Sequence, residues 1–406
     1  MSTRAPHPFL YTLLILPFGA IGGFVGVALG FLATTKGLSV EDAATLVAVG
    51  MVPHTWKFVW APVADTTLSR RTWYLLSVAL CALGVFALSV IPLEKGNLPL
   101  LQAVIFVANL ASTTLGMAVE GMMAHLTPEE RRGQAGGWFQ AGNLGGNGVG
   151  GGFALWLLTH VQAAWVTGAV LAGIFLACAA PLLRLPDVPR DARTEGVGAA
   201  MLGAVKDLFG LLRARAGLFA AVLCFLPIST GAALGVLAQA EIAAAWGAGA
   251  EEVGLVNGLL AGLVMAVGSL AGGELCARFD SRKVYAAVGA LMASVALGMA
   301  ATPLTPTMFV AWGMVYSFAT GLAYAAFTGF VLQVIGTSAA ATKYNTFASL
   351  SNVPIMYMGL VLAWATTRWG GQGMLVVEAV AGAVGLVVLG LAATLLRERK
   401  VERAAA

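Results

Sequence analysis

Charge is scarce in this chain. Asp, Glu, Lys and Arg together make up 10% of its 406 residues, where a soluble domain carries about 25%. With 59% apolar residues and a mean hydropathy of +0.86, the chain has too few polar groups to cover a water-soluble globule. The composition is that of a polytopic membrane protein. Cysteine is equally sparse. Cys81, Cys178, Cys224 and Cys276 stand singly in separate apolar segments, with no CxxC or Cys/His spacing. Neither a disulfide framework nor a metal site is expected from them, and each reads as a small apolar packing residue. The four histidines, His7, His54, His125 and His160, are scattered, without an HExxH pattern or a nucleophile beside a base. This argues against a membrane-embedded enzyme. "GGNGVGGG" (145–152) follows no strand and precedes no Gly-Lys-Ser/Thr. It is not a phosphate loop, which argues against an ATP-driven pump, and it reads instead as close helix packing. Nothing calls for a cofactor.

What is present is a succession of long apolar runs. A span needs about 20 such residues, and twelve are expected: 9–33, 43–63, 72–93, 99–124, 134–159, 163–183, 217–243, 252–275, 284–302, 307–335, 343–366 and 373–396. They are too long and too uniformly apolar for barrel strands, so an all-α membrane protein is expected. The first run is too long for a signal peptide and ends without a small-residue cleavage pattern. Lys36, Lys95 and Arg368 fall in loops on one side and Lys57 falls within a span. Every other Lys and Arg falls on the opposite side, which also holds both termini and the long polar segment 184–216. The positive-inside rule makes that side cytoplasmic. The net charge of +4 is then a matter of topology and gives no support to nucleic-acid binding.

The polar segment divides the spans six and six, giving an N-terminal bundle (1–184), a central loop (185–216) and a C-terminal bundle (217–406). The halves echo one another. "PFGAIGGFVG" starts at Pro17 and "PISTGAALGV" at Pro227, and Glu41-Asp42 matches Glu251-Glu252 at the same offset. "GQAGGWFQAGN" (133–143) aligns with "TKYNTFASLSN" (342–352), setting Asn143 over Asn352. Parallel repeats of this kind are a transporter architecture. "APVADTTLSRR" (61–71) and "GELCARFDSRK" (273–283) both follow the second span of their half. They resemble the cytoplasmic loop signature of the major facilitator superfamily, Gly-x-Leu-Ala-Asp-Arg-x-Gly-Arg-Arg/Lys. The first copy keeps Asp65, Arg70 and Arg71; the second keeps Gly273, Leu275, Arg278, Arg282 and Lys283 but has Ala277 for the aspartate.

The resemblance implies two six-helix bundles rocking about a central cavity, as a monomer in lipid. It also implies a cytoplasmic gate among Asp65, Arg70, Arg71, Arg278, Arg282 and Lys283. Within that superfamily "WKFVWAPVAD" resembles the second helix of AmpG-type muropeptide permeases and their acetyl-CoA transporter relatives. "TLGMAVEGMMAHLTPEERRGQAGG" and "AAFTGFVLQVIGTSAAATKYNTFASLSN" resemble the fourth helix and the tenth and eleventh helices of that group. Where those permeases carry two aspartates and an aromatic in the fourth helix, this chain has Gly116, Glu120 and Met122. One acid remains. By this resemblance the membrane is the bacterial cytoplasmic membrane.

Lys57 is the most anomalous residue, since a charge at mid-bilayer costs roughly 2.5–3.5 kcal/mol on insertion scales. It can snorkel toward the cytoplasmic interface, or it is kept for a buried acid or an anionic solute. Glu120, at similar depth on the fourth span, is the candidate partner, either facing Lys57 or sharing a wet cavity with it. His54 lies one turn from Lys57 on the same face and can accept protons near neutral pH, or it serves as a polar packing group beside Pro53. Gln140, Asn143 and Asn147 share one helix face, as do Tyr344, Phe347 and Ser351, with Asn345 and Asn352 on a neighbouring face. These amides and hydroxyls either bind a polar solute or join helices. Glu241 belongs to an outer gate or is solvated. Glu274 is expected at the interface, and Glu378, on a helix that is peripheral in the resembled fold, at a lipid or partner contact. The expected activity is secondary transport of a small polar or anionic solute, muropeptide-like by resemblance and driven by protons through Glu120, with His54 as a second candidate. An exporter of another solute, or a non-transporting receptor on the same fold, is the alternative.

Overall fold

The computed structural model describes residues 6–161, 163–188, 196–237 and 239–405. Its regular elements are all helical among the described residues. The first half contains α1 (Phe9–Thr35), α2 (Val40–Thr66), α3 (Arg70–Val90), α4 (Leu98–Leu126), α5 (132–160) and α6 (Ala164–Ala177). The second contains α8 (215–245, in three pieces), α9 (250–278), α10 (Ser281–Ala301), α11 (Pro306–Ile335), α12 (340–369) and α13 (371–405). Between the halves, where a loop was expected, the chain forms a helix, α7 (Gly196–Arg213).

Helix starts follow the local sequence. Ser39 caps α2, accepting from the Asp42 amide at 3.0 Å while the Asp42 carboxylate returns to the Ser39 amide at 3.3 Å. Asp280 caps α10 through the amides of Arg282 and Lys283. Thr305 caps α11, with Pro306 in the first turn.

Eight described helices are long and apolar enough to cross a membrane. The last of these, Ala340–Thr394, bends at Gly370 (φ +68°) and so supplies two of the expected spans where a loop was expected between them. The other expected spans coincide with helices that are less apolar or broken. α2 carries Lys57 and Asp65, and α5 is rich in glycine. α8 departs most from expectation. It is interrupted between Phe225 and Ala232, because Pro227 has no amide hydrogen to continue a helix and Gly231 takes a left-handed φ of +66°.

The halves meet chiefly where α5 packs against α9 and α11, and where α2 and α4 meet α12. The α5–α9 contact is backbone against backbone. A Cβ added at Gly137 would lie 2.6 Å from the Cα of Gly273 and 2.7 Å from the Ser269 carbonyl oxygen. Only glycines allow this approach, as in other membrane helix pairs. α1 and α5 each pass through a π turn, Phe24–Leu29 and Val149–Phe153, and the two turns pack together. Such turns recur at functional sites; Val25 and Gly26 of the first line the space between the halves, and the second packs against α9.

Candidate functional site

A cavity of about 300 Å³ lies between the halves. From the first half it is lined by His54, Lys57, Glu120, Gln140, Asn143 and Asn147; from the second by Ser229, Tyr285, Tyr324, Phe327, Tyr344 and Asn352. Most of the polar residues singled out in the sequence therefore share one space. Asn345 does not line it but bonds to a residue that does.

Lys57 is 8% exposed and makes no hydrogen bond or ion pair among the described residues. Glu120 lines the same cavity, yet its carboxylate is bonded elsewhere. Its Oε2 accepts from Asn345 Nδ2 of the other half at 2.5 Å, and the same Asn345 amide donates to the Ala341 carbonyl at 2.9 Å. Lys57 and Glu120 act on each other as charges across the cavity without forming a salt bridge. The ammonium stays available because the carboxylate's near partner comes from α12.

His54 Nε2 lies 3.0 Å from Asn109 Oδ1, with its ring edge-on to Phe18. Asn109 spends its amide nitrogen on the Ile105 carbonyl, so its oxygen faces His54 and accepts. His54 Nε2 is then the donor and Nδ1 the basic nitrogen. A second chain of hydrogen bonds crosses between the halves. Asn143 Nδ2 donates to Gln140 Oε1 at 2.8 Å, Gln140 Nε2 donates to Thr328 Oγ1 at 2.8 Å, and the Thr328 and Tyr344 hydroxyls meet at 3.0 Å. Sequence reading missed Asn109 and Thr328. Each is a lone polar residue in an apolar run, and a search for intramembrane amides and hydroxyls would have found both.

About two turns beyond Lys57 on α2, Asp65 has 0% exposure and joins the halves on that side of the cavity. Its carboxylate accepts from the Ala341 amide at 3.1 Å and from the Thr342 amide and hydroxyl at 2.8 and 2.7 Å. Asp65 thus caps α12 from the opposite half, where an anion is favoured by the helix dipole. Arg70 holds it in place, donating to its side chain at 3.0 Å and its carbonyl at 3.2 Å.

The other expected gate residues are not part of this contact. Arg71 is half-buried without an ion pair among the described residues. Arg278 turns to Glu274 on its own helix at 2.8 Å, and Arg282 to Asp280 at 2.9 Å, while Lys283 is exposed. Each arginine meets a carboxylate one turn or less away before it can reach across. The Arg282 hydrogen bond holds the Asp280 carboxyl below the ordinary carboxylate range. Glu274, which is exposed, is the residue of this stretch that crosses to the first half, accepting from Gln134 at 3.2 Å. The side chain of Glu241, and Arg190 and Arg193, lie outside the described residues.

Two helical bundles around a shared polar cavity, joined to each other on one side of it, define a membrane transporter of small solutes. Residues 11–235 match the Major Facilitator Superfamily, and the chain belongs to that family. Solved structures agree on the fold. The human organic anion transporter MFSD10 (TETRAN) is 16% identical with a TM-score of 0.67, over 94% of this chain and 97% of that one. A bacterial homologue of the iron transporter ferroportin, in an outward-facing state, is 14% identical with a TM-score of 0.69, over 97% and 100%. FucP in the outward conformation is 15% identical with a TM-score of 0.68, over 95% and 98%. No curated protein sequence matches the chain.

Proposed function

We propose that the chain is a secondary active transporter that moves a small organic anion across the bacterial cytoplasmic membrane by alternating access, with a proton as the driving ion. The observation that carries this reading is the Lys57 ammonium, buried at the cavity without a counter-ion among the described residues while the one nearby acid is bonded to Asn345. A solute carboxylate or phosphate entering the cavity supplies the missing charge. Gln140, Asn143 and Tyr344 then offer donors and acceptors for its polar body. One fold neighbour is an organic anion transporter and another a fucose:proton symporter, which is in keeping with both parts of the reading.

The cavity volume lies at the lower end of the range of about 300–1,000 Å³ for ligand sites. That suits a compact anion better than a muropeptide, the solute suggested by the second-helix motif. Glu120 is the proton carrier in this reading. Protonation removes the charge that Lys57 senses and changes the Glu120–Asn345 bond between the halves, so proton and solute occupancy bias the same interface.

The test is uptake into proteoliposomes of labelled anhydro-muropeptide and of a panel of small organic anions, with and without an acidic outside. Saturable uptake that needs the gradient and falls at least about tenfold in Glu120→Gln supports the reading. Gradient-independent uptake, or equal uptake per folded molecule of the variant, removes Glu120 from the coupling step. No uptake of any anion by folded protein removes the anion reading.

A further inference from the structure

Besides Glu120 and Asp65, one more described carboxyl group is buried. Glu378 is 8% exposed and is not part of the cavity lining. Its helix was expected to face lipid or a partner. Instead α13 turns it inward, against α11 and the interruption in α8. The Thr230 hydroxyl and the Ala233 amide both point at Oε1, at 3.5 and 3.4 Å. Both contacts are long, and Oε2 accepts no hydrogen bond among the described residues. The Tyr316 hydroxyl, fully buried on α11, faces the carboxyl and feels its charge but makes no hydrogen bond of normal geometry. Tyr316 is the titratable group that acts on Glu378 among the described residues; α8 offers only a hydroxyl and an amide, and α10 offers none. No described Lys, Arg or His forms an ion pair with it. An ionised carboxylate with no counter-ion is among the most costly groups to bury.

We propose that Glu378, Tyr316 and Thr230 form a binding site for a monovalent coupling cation, a proton or a sodium ion, separate from the solute cavity and joined to it through the interruption in α8. The oxygens gathered there are donors that hard cations favour, and a proton on Oε2 neutralises the same charge. The link is short. Ser229 lines the cavity and the next residue, Thr230, reaches Glu378. Ile228 is held firmly: a Cβ added at Gly289 would lie 2.2 Å from its side chain, and one at Gly385 3.0 Å. A cation drawing Thr230 toward Glu378 therefore moves Ser229 in the cavity wall. The coupling role rests on the transport reading. The binding site does not, and it is tested without a solute.

The full-length chain carrying Glu120→Gln, which removes the cavity carboxyl and leaves Asp65, paired with Arg70, the same in every sample, is reconstituted and followed by infrared spectroscopy in the carboxylic-acid region. Adding Glu378→Gln isolates the Glu378 band by difference. For a proton site the band disappears as pH rises, whether the salt is NaCl or choline chloride. For a sodium site it disappears at fixed pH when NaCl replaces choline chloride, and NaCl raises the unfolding temperature of Glu120→Gln but not of the double variant. In either case Tyr316→Phe shifts the titration. A band that persists unchanged at every pH and salt makes Glu378 a permanently neutral packing group and overturns the proposal. No difference between the two variants overturns it as well. Should the double variant fail to fold, Glu378→Gln alone is compared with the unmodified chain. Failed uptake with an intact titrating band counts against the transport reading alone.

Discussion

Lys57 separates stability from function more sharply than any other residue of the chain. Its ammonium is buried at the cavity with no hydrogen bond or ion pair among the described residues, so only the longer-range attraction of Glu120 offsets the cost of burying its charge. The polar lining of the cavity reduces the burial cost below the figure for a dry bilayer. Removing the charge should therefore leave the fold unharmed or stabilise it, by up to about 2 kcal/mol. Lys57→Met keeps most of the aliphatic stem that packs in α2. We expect the variant to unfold at an equal or higher temperature while anion uptake falls by about tenfold or more, the loss of one charge-assisted contact of about 1.4 kcal/mol or above. A lower unfolding temperature with a proportional loss of uptake would make Lys57 a structural residue and leave the cavity without its anion anchor.

At the level of elements, the contact between α2 and α12 carries most of the closure on the Asp65 side. A carboxylate accepting two backbone amides and a hydroxyl at a helix start is a strong cap. Asp65→Asn retains the shape but loses the charge and one acceptor, which weakens the cap by about 1–2 kcal/mol and also leaves the buried Arg70 of the first half without its counter-charge. That shifts the balance toward separation of the halves on this side. Cys276 reports it, because it is buried where α9 meets Gly133 of α5. In a background with Cys81, Cys178 and Cys224 replaced by Ala, we expect Cys276 to be alkylated about tenfold faster in Asp65→Asn. An unchanged rate would show that the glycine contacts, and not the cap, hold this side closed. Asp65 and Arg70 were legible in the sequence because the loop signature fixes their place, but the cap on Thr342 was not. The eight helices long and apolar enough to cross a membrane were legible from hydropathy, and α2, α5 and α8 less so because they are less apolar or broken. The direction each helix faces was not legible, since these helices are apolar on every side and amphipathicity is silent where lipid and protein interior are equally apolar. That is why Glu378 was assigned to the periphery and why the Glu120–Asn345 bond was not foreseen, although Lys57 and Glu120 share one cavity. The interruption in α8 was written in Pro227 and Gly231, yet both residues are also common in unbroken membrane helices.

For the molecule as a whole, the contacts between halves fall into two sets. On the Asp65 side the bundles are joined by the α12 cap, by the glycine contact between α5 and α9, and by Gln134 with Glu274. Deeper in, the described residues join them through the cavity network of Gln140, Thr328 and Tyr344 and the Glu120–Asn345 bond. Alternating access requires the first set to break in every cycle, while the second set re-forms around the solute. Gln134 and Glu274 lie at the rim, both accessible to reagents, which makes them the place to test this without touching the cavity. With the four native cysteines removed, Gln134→Cys and Glu274→Cys joined by a short reducible dithiol cross-linker should hold the Asp65 side shut. We expect solute to bind from the opposite side with unchanged affinity while uptake stops, and uptake to return when the linker is reduced. Either single-cysteine variant, treated in the same way, should transport normally. If the cross-linked protein transports at its unlinked rate, the halves do not separate at this rim. The Asp65 contact would then be a static brace, and solute would have to pass by a route that leaves α5 and α9 together.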